Sequence, residues 1–198
     1  AHLDYATTVE RCGPYVDGFV INVSSPNTPN LRELQKDEDL ARIIEAVQVH
    51  SGHKPVLVKI APDLEDLQIK SIVDTARGLG CAGIVATNTT TSRPDESPIM
   101  SETGGLSGKP LKSRSTEVIR LIADHTDGEW PIIGVGGIAN SDDAWEKITN
   151  GASLVQIYSS MVFNGASVIK EIVNGLDRKL KSKGLTSLEQ AVGIARGE

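Results

Sequence analysis

Cysteine is scarce in this chain: Cys12 and Cys81 stand far apart and without metal-ligand spacing, which argues for free thiols in a reducing compartment rather than a disulfide framework. His2, His50, His53 and His125 lie in polar stretches, and none pairs with a carboxylate or cysteine at ligand spacing, so no metal site is expected. Aromatic residues make up only 4%, against 19 glycines, a balance that favours many tight strand–helix connections over a β-sandwich. Positive charge is in deficit. With 20 Lys and Arg against 26 Asp and Glu, the net charge of -6 argues against a nucleic-acid partner, which needs a basic stripe to neutralise phosphates. No apolar run reaches the length of a membrane span, and no signal peptide is visible. The chain starts at Ala1 rather than methionine, already inside a helical pattern, so it is expected to begin part-way through a longer protein.

What is present is an ordinary globular composition, 39% apolar and 23% charged over 198 residues, enough for one domain (1–198) with a sizeable core. Leu3, Tyr5, Ala6, Val9 and Cys12 keep helical spacing until Gly13-Pro14 stops them. β-branched runs at 18–23, 56–60, 83–86, 131–135 and 153–158 read as five buried strands. Between and after them, residues 34–49, about 63–78, 115 onward, 141–149 and 160–181 carry the apolar period of helices, with a short helix after Thr186. Residues 91–112 form a long loop, which inside a compact domain is usually functional or mobile.

Strict strand–helix alternation implies a parallel sheet, because parallel neighbours need crossover helices. Two architectures fit: an open doubly wound sheet, or part of a (β/α)8 barrel. The first strand lacks the G-x-G-x-x-G fingerprint of dinucleotide folds. Polar residues follow every strand instead of gathering at one switch point, and that favours the barrel. Five units cannot close a barrel of eight, so about three strands would lie on the N-terminal side.

The first strand breaks into Asn22-Val23-Ser24-Ser25-Pro26-Asn27-Thr28-Pro29, ordinarily just a turn. Later strands end alike: Lys59; Thr87, Asn88 and Thr89; Gly136 and Gly137; Tyr158 and Ser159. For any one of these the plain alternative is a strand-end cap or a loop hydrogen bond. Lys59 resists it, since it interrupts Val-Leu-Val-Lys-Ile and a buried lysine needs a partner. Gly134-Val135-Gly136-Gly137 leaves room for backbone amides to approach an anion, and the helix start near Ser141 adds a favourable dipole. With Tyr158-Ser159 it matches the phosphate site that barrels build after their last two strands. A phosphorylated cofactor with a lysine at its polar edge points to flavin mononucleotide (FMN).

Six motifs in order, 22–28, 59–63, 87–90, 103–111, 132–138 and 151–158, resemble the dihydroorotate dehydrogenases, and specifically their quinone-using class 2. The resemblance implies an FMN-containing (β/α)8 barrel that oxidises dihydroorotate to orotate in pyrimidine biosynthesis, reoxidised by a membrane quinone. It places the catalytic base at Ser25, where class 1 enzymes have cysteine. It places Asn22, Asn27, Asn88 and Thr89 on the pyrimidine. FMN would fall to Asn22, Lys59, Thr87, Ser107, Gly108, Gly136, Gly137, Tyr158 and Ser159. A serine hydroxyl is a poor base and must be poised by a neighbour, for which Thr28 is a nearby candidate. Asn30 stands where relatives often carry glycine; asparagine tolerates a left-handed backbone. The family's N-terminal portion, with its quinone entrance, is not among these residues, and through it the protein is expected to be membrane-associated, at a bacterial cytoplasmic or mitochondrial inner membrane. The rivals are another FMN barrel, such as a tRNA dihydrouridine synthase, and an inactive fragment that self-associates through an open sheet edge.

Overall fold

The computed structural model describes residues 1–94 and 102–197; part of the long loop expected at 91–112 lies outside the described residues. The chain alternates as expected. Helix α1 (His2–Cys12) precedes β1 (Phe19–Asn22), α2 (Asp37–Ser51), β2 (Val56–Ile60), α3 (Asp66–Gly78) and β3 (Gly83–Ala86). Then come α4 (Lys112–His125), β4 (Ile132–Val135), α5 (Ser141–Thr149), β5 (Leu154–Gln156), α6 (Ser159–Asn164) and α7 (Ser167–Ser182).

All five strands are parallel, and their spatial order is β1-β2-β3-β4-β5. That order decides between the two architectures. A doubly wound sheet reverses direction at a switch point, whereas here each strand lies beside its neighbour in sequence, as in a barrel.

Register sorts the side chains onto two faces, because parallel partners share a face. Ile21, Val58, Ile84 and Ile132 form one row, all 2% exposed or less, and pack with helix residues such as Ile44, Ile69, Ile72, Ile119 and Ile122. The adjacent row is Asn22, Lys59, Val85, Ile133 and Leu154, on the opposite face. There Val20 is 45% and Leu154 59% exposed, so the helices cover only one side of the sheet. A second apolar cluster joins Ile138, Ala144, Ile148, Val168, Ile172, Leu176 and Ala191 around α5 and α7.

Local signals explain the element ends. Glu65 and Gln68 form a reciprocal capping box that starts α3, and Asn140 caps α5 by accepting from the amides of Asp142 and Asp143. Asn30 takes a left-handed φ of 60, which lets the chain turn into the 3-10 segment Leu31–Gln35. Several boundaries differ from the sequence reading; the fifth strand, for one, is Leu154–Gln156 rather than 153–158. The helix expected at 34–49 begins with that 3-10 turn and becomes α-helical only at Asp37. The fourth helix starts at Lys112 rather than Ser115, entered through the turn Lys109–Leu111. The helix expected at 160–181 is two helices, because Gly165 adopts φ 71 between α6 and α7.

Candidate functional site

The polar strand ends gather at one rim, at the C-terminal ends of the parallel strands. Asn22, the last residue of β1, accepts three hydrogen bonds on its side-chain oxygen: from the Ser24 amide (3.3 Å), from Ser24 Oγ (2.9 Å) and from Asn88 Nδ2 (3.2 Å). Asn88 Nδ2 also donates to Ser24 Oγ (3.0 Å), and Asn88 Oδ1 accepts from the Thr89 amide (2.8 Å). The loops after β1 and β3 are thereby joined side chain to side chain. The two N–H groups of the Asn22 amide donate to nothing among the described residues, so this amide nitrogen stands free at the rim. Ser25 lies beside this network, half-buried, its Oγ accepting the Asn27 amide at 3.2 Å.

Beside these residues opens a cleft of ≈ 420 Å³. Lys59, Thr87, Asn88 and Thr89 line one side; Ser107, Gly108, Gly136, Gly137, Tyr158 and Ser159 line the rest. All but one of the residues expected to hold a cofactor therefore share one cavity, within the ordinary size range for small-ligand sites. The exception, Asn22, abuts it through Asn88, while Ser25 and Asn27 sit on the neighbouring loop rather than in the cleft wall. Lys59 has no hydrogen-bonding or ionic partner among the described residues, and burial lowers its pKa. An unpaired, half-buried ammonium in a cleft is a costly arrangement that an anionic or electron-rich ligand would relieve.

The glycines make the far wall. Gly137 has φ 70, and a Cβ there would sit 2.5 Å from Lys112 Cβ and 2.9 Å from the Lys112 amide nitrogen. Only glycine lets the chain pass this close to the start of α4 while leaving its amides accessible. The sequence-expected contribution of the α5 start does not fit this geometry. Asn140 already takes the amides of Asp142 and Asp143, whose carboxylates pair with Lys179 and Lys112, and Ser141 does not line the cleft. The edge formed by Gly136, Gly137, Tyr158 and Ser159 is the candidate cradle. A half-buried cation, hydroxyls and a side-chain-free backbone edge in one cavity form a donor set that suits a phosphorylated flavin.

Several residues of the site were given no role from the sequence. Ser24 is fully buried and bridges Asn22 to Asn88. Arg32 and Asp63 pair at 2.7 Å between the loops that follow β1 and β2. Burial alone would raise the Asp63 carboxyl, but hydrogen bonds from Thr90, Thr91 and Arg32, with the guanidinium charge, hold it below the usual carboxylate range. The Thr103–Gly105 segment closes over the rim: a Cβ on Gly105 would fall 1.8 Å from Thr89 Oγ1, and Leu106 pairs with Thr90 across an antiparallel bridge.

With this geometry in place, comparison with known proteins is decisive. The family model described as dihydroorotate dehydrogenase matches residues 2–180. The chain belongs to the dihydroorotate dehydrogenase family. Relatives named dihydroorotate dehydrogenase (quinone) include that of Trichodesmium erythraeum, 48% identical over 98% of this chain and 53% of the relative. That of Halobacterium salinarum is 50% identical over 96% of this chain and 54% of its own length. The chain thus spans about half the length of the curated relatives it matches. Among solved structures, the Eimeria tenella enzyme in complex with ferulenol superposes with a TM-score of 0.91 at 36% identity, over 98% of this chain and 58% of that one. Its ligand-free form gives 0.92 at the same identity. The fold is therefore that of the dihydroorotate dehydrogenase barrel, in part, and the family implies a flavin. The tRNA-modifying barrel is displaced by this match.

Proposed function

We propose that the protein carrying this chain oxidises dihydroorotate to orotate in pyrimidine biosynthesis, with FMN as cofactor and a quinone as final acceptor. The observation that carries the reading is the junction of two parts. The Asn22–Ser24–Asn88 network, flanked by Ser25 and Asn27, abuts a cleft bearing an unpaired Lys59 and a glycine-edged wall. FMN, when bound, supplies a hydride acceptor.

The chain's own residues do the rest. Gly136, Gly137, Tyr158 and Ser159 receive the phosphate, with Ser107 and Gly108 closing the cleft beside them. Lys59 supplies positive charge at the polar edge of the ring, and Thr87 and the free amide of Asn22 complete that wall. Asn27, Asn88 and Thr89 orient the flat pyrimidine acid over it. Ser25 takes the C5 proton as the C6 hydride leaves. Holding Ser25 and the bound flavin within reach of one substrate would be the entropic part of the catalysis. Among the described residues no side-chain base hydrogen-bonds Ser25 Oγ, so its proton passes to solvent or to a ligand-ordered neighbour.

Reoxidation by quinone places the protein at a membrane surface, through sequence outside this chain; no helix of the described residues is long and apolar enough to cross a membrane. The test is Ser25→Ala in the full FMN-loaded polypeptide. Anaerobic flavin bleaching by dihydroorotate should slow by about 10²-fold or more while flavin content holds. Bleaching at the wild-type rate would remove Ser25 from the base role.

One observation favours a second reading for these 198 residues in isolation. Among the described residues the sheet has two free edge strands and a face no helix covers, so the isolated chain is expected to self-associate without flavin. A colourless oligomer in sedimentation supports that; a yellow monomer contradicts it.

A further inference from the structure

Arg32 donates from each of its three guanidinium nitrogens to a different loop of the rim. Nε reaches the Ser24 carbonyl (3.1 Å), Nη1 the Asp63 carboxylate (2.7 Å) and Nη2 the Thr89 carbonyl (2.9 Å). Ser24 immediately precedes Ser25, and Thr89 immediately follows Asn88. Asp63 in turn accepts from the Thr91 amide (2.9 Å) and from the hydroxyls of Thr90 and Thr91. The turn that carries Arg32 is itself fixed, since Gln35 donates to the Arg32 carbonyl (3.2 Å) and accepts from the Ala61 amide (3.1 Å).

We propose that Arg32, locked by Asp63, is a positioning residue that sets the distance between the Ser25 loop and the Asn88–Thr89 loop, and so aligns the proton acceptor with the bound pyrimidine. This rests on the dihydroorotate reading above. A planar fork with donors in fixed directions spans three loops at once; a lysine ammonium at the end of a flexible stem does not hold the same three acceptors in one plane. Neither Arg32 nor Asp63 lines the cleft assigned to FMN, but Asn88 and Thr89 do, so flavin content is read beside the rate to separate the substrate side from the cofactor side.

The experiment is a two-by-two comparison of Arg32→Lys and Ser25→Ala in the full FMN-loaded polypeptide, reading anaerobic flavin reduction by dihydroorotate together with flavin stoichiometry. Arg32→Lys should slow reduction by about 10- to 100-fold with unchanged flavin content, as expected for a misaligned reacting pair. In the Ser25→Ala background the same change should cost less than about threefold, because its effect passes through Ser25. A purely structural role would give equal factors in both backgrounds or a loss of flavin, and either result overturns the proposal. So does an Arg32→Lys rate within about twofold of wild type. If Arg32→Lys does not fold, Asp63→Asn, which keeps shape and removes the locking charge, is judged by the same criteria. Ser25→Ala at the wild-type rate overturns this proposal and the base role of Ser25, whereas a wild-type flavin that dihydroorotate does not bleach overturns the functional reading. A slow Ser25→Ala beside a fast Arg32→Lys overturns only this proposal.

Discussion

Lys147 offers a sharp electrostatic test of the cradle's support. It lies on α5, fully buried, and its ammonium donates to the Lys112 carbonyl (2.8 Å) and to Thr116 Oγ1 (2.6 Å). It thereby ties α5 to the start of α4, the segment whose backbone crowds Gly137. Burial pushes its pKa down from 10.5 to about 8; the Glu146 carboxylate pulls the other way and the Lys112 cation adds to the lowering. The folded pKa therefore lies below the unfolded one. Between those two values the unfolded chain binds more protons, so stability rises with pH across this window. Below pH 8 the full cost of burying the charge is present. Integrating the linkage between pH 7 and pH 10 gives a gain of roughly 2–3 kcal/mol from this one group. Lys147→Met removes the titration while keeping an unbranched apolar stem. Urea unfolding of wild type and variant at pH 7, 8, 9 and 10 should show the wild type gaining about 2–3 kcal/mol on the variant over the series. Curves that stay parallel within about 0.5 kcal/mol would refute the buried, protonation-costly amine.

Two further outcomes follow from the cleft. Gly137→Ala puts a methyl 2.5 Å from Lys112 Cβ at a left-handed φ of 70, so the α4 start or the glycine edge must shift; flavin affinity should fall at least about 10-fold by fluorescence titration. The Lys59 ammonium, its pKa lowered by burial, favours a negatively charged ligand only while protonated. Flavin affinity should therefore weaken as pH rises through the lowered pKa, and Lys59→Met should bind more weakly at neutral pH and lose that dependence.

The strands were legible because each is a short β-branched run bounded by glycine, proline or polar residues, and Lys59 betrayed itself by breaking one of them. Most residues of the cleft were legible for the same reason, as strand ends fixed in phase by the sheet register; Ser107 and Gly108, in the loop before α4, were named only through the family resemblance. The bracing residues were not. Arg32 reaches Asp63 across 31 positions and Thr89 across 57, bonding mostly to backbone, and no local pattern encodes such a contact. Asp63 stood inside a recognised motif yet gained meaning only once Thr90, Thr91 and Arg32 converged on it. The break at Gly165 escaped because apolar residues continue on both sides at spacing a single helix could keep. The α5 start was read for its dipole alone; Asn140, a preferred capping residue directly before it, already takes its first amides.

The account stands on one rim holding a phosphorylated flavin and a pyrimidine side by side, and a crystal structure of the full polypeptide with FMN and orotate addresses it most directly. It should show the phosphate on the Gly136–Gly137 and Tyr158–Ser159 edge, the Lys59 ammonium at the polar side of the ring, and orotate between Asn22, Asn27 and Asn88 with Ser25 over its C5. A phosphate bound elsewhere, or an orotate out of reach of Ser25, would contradict it.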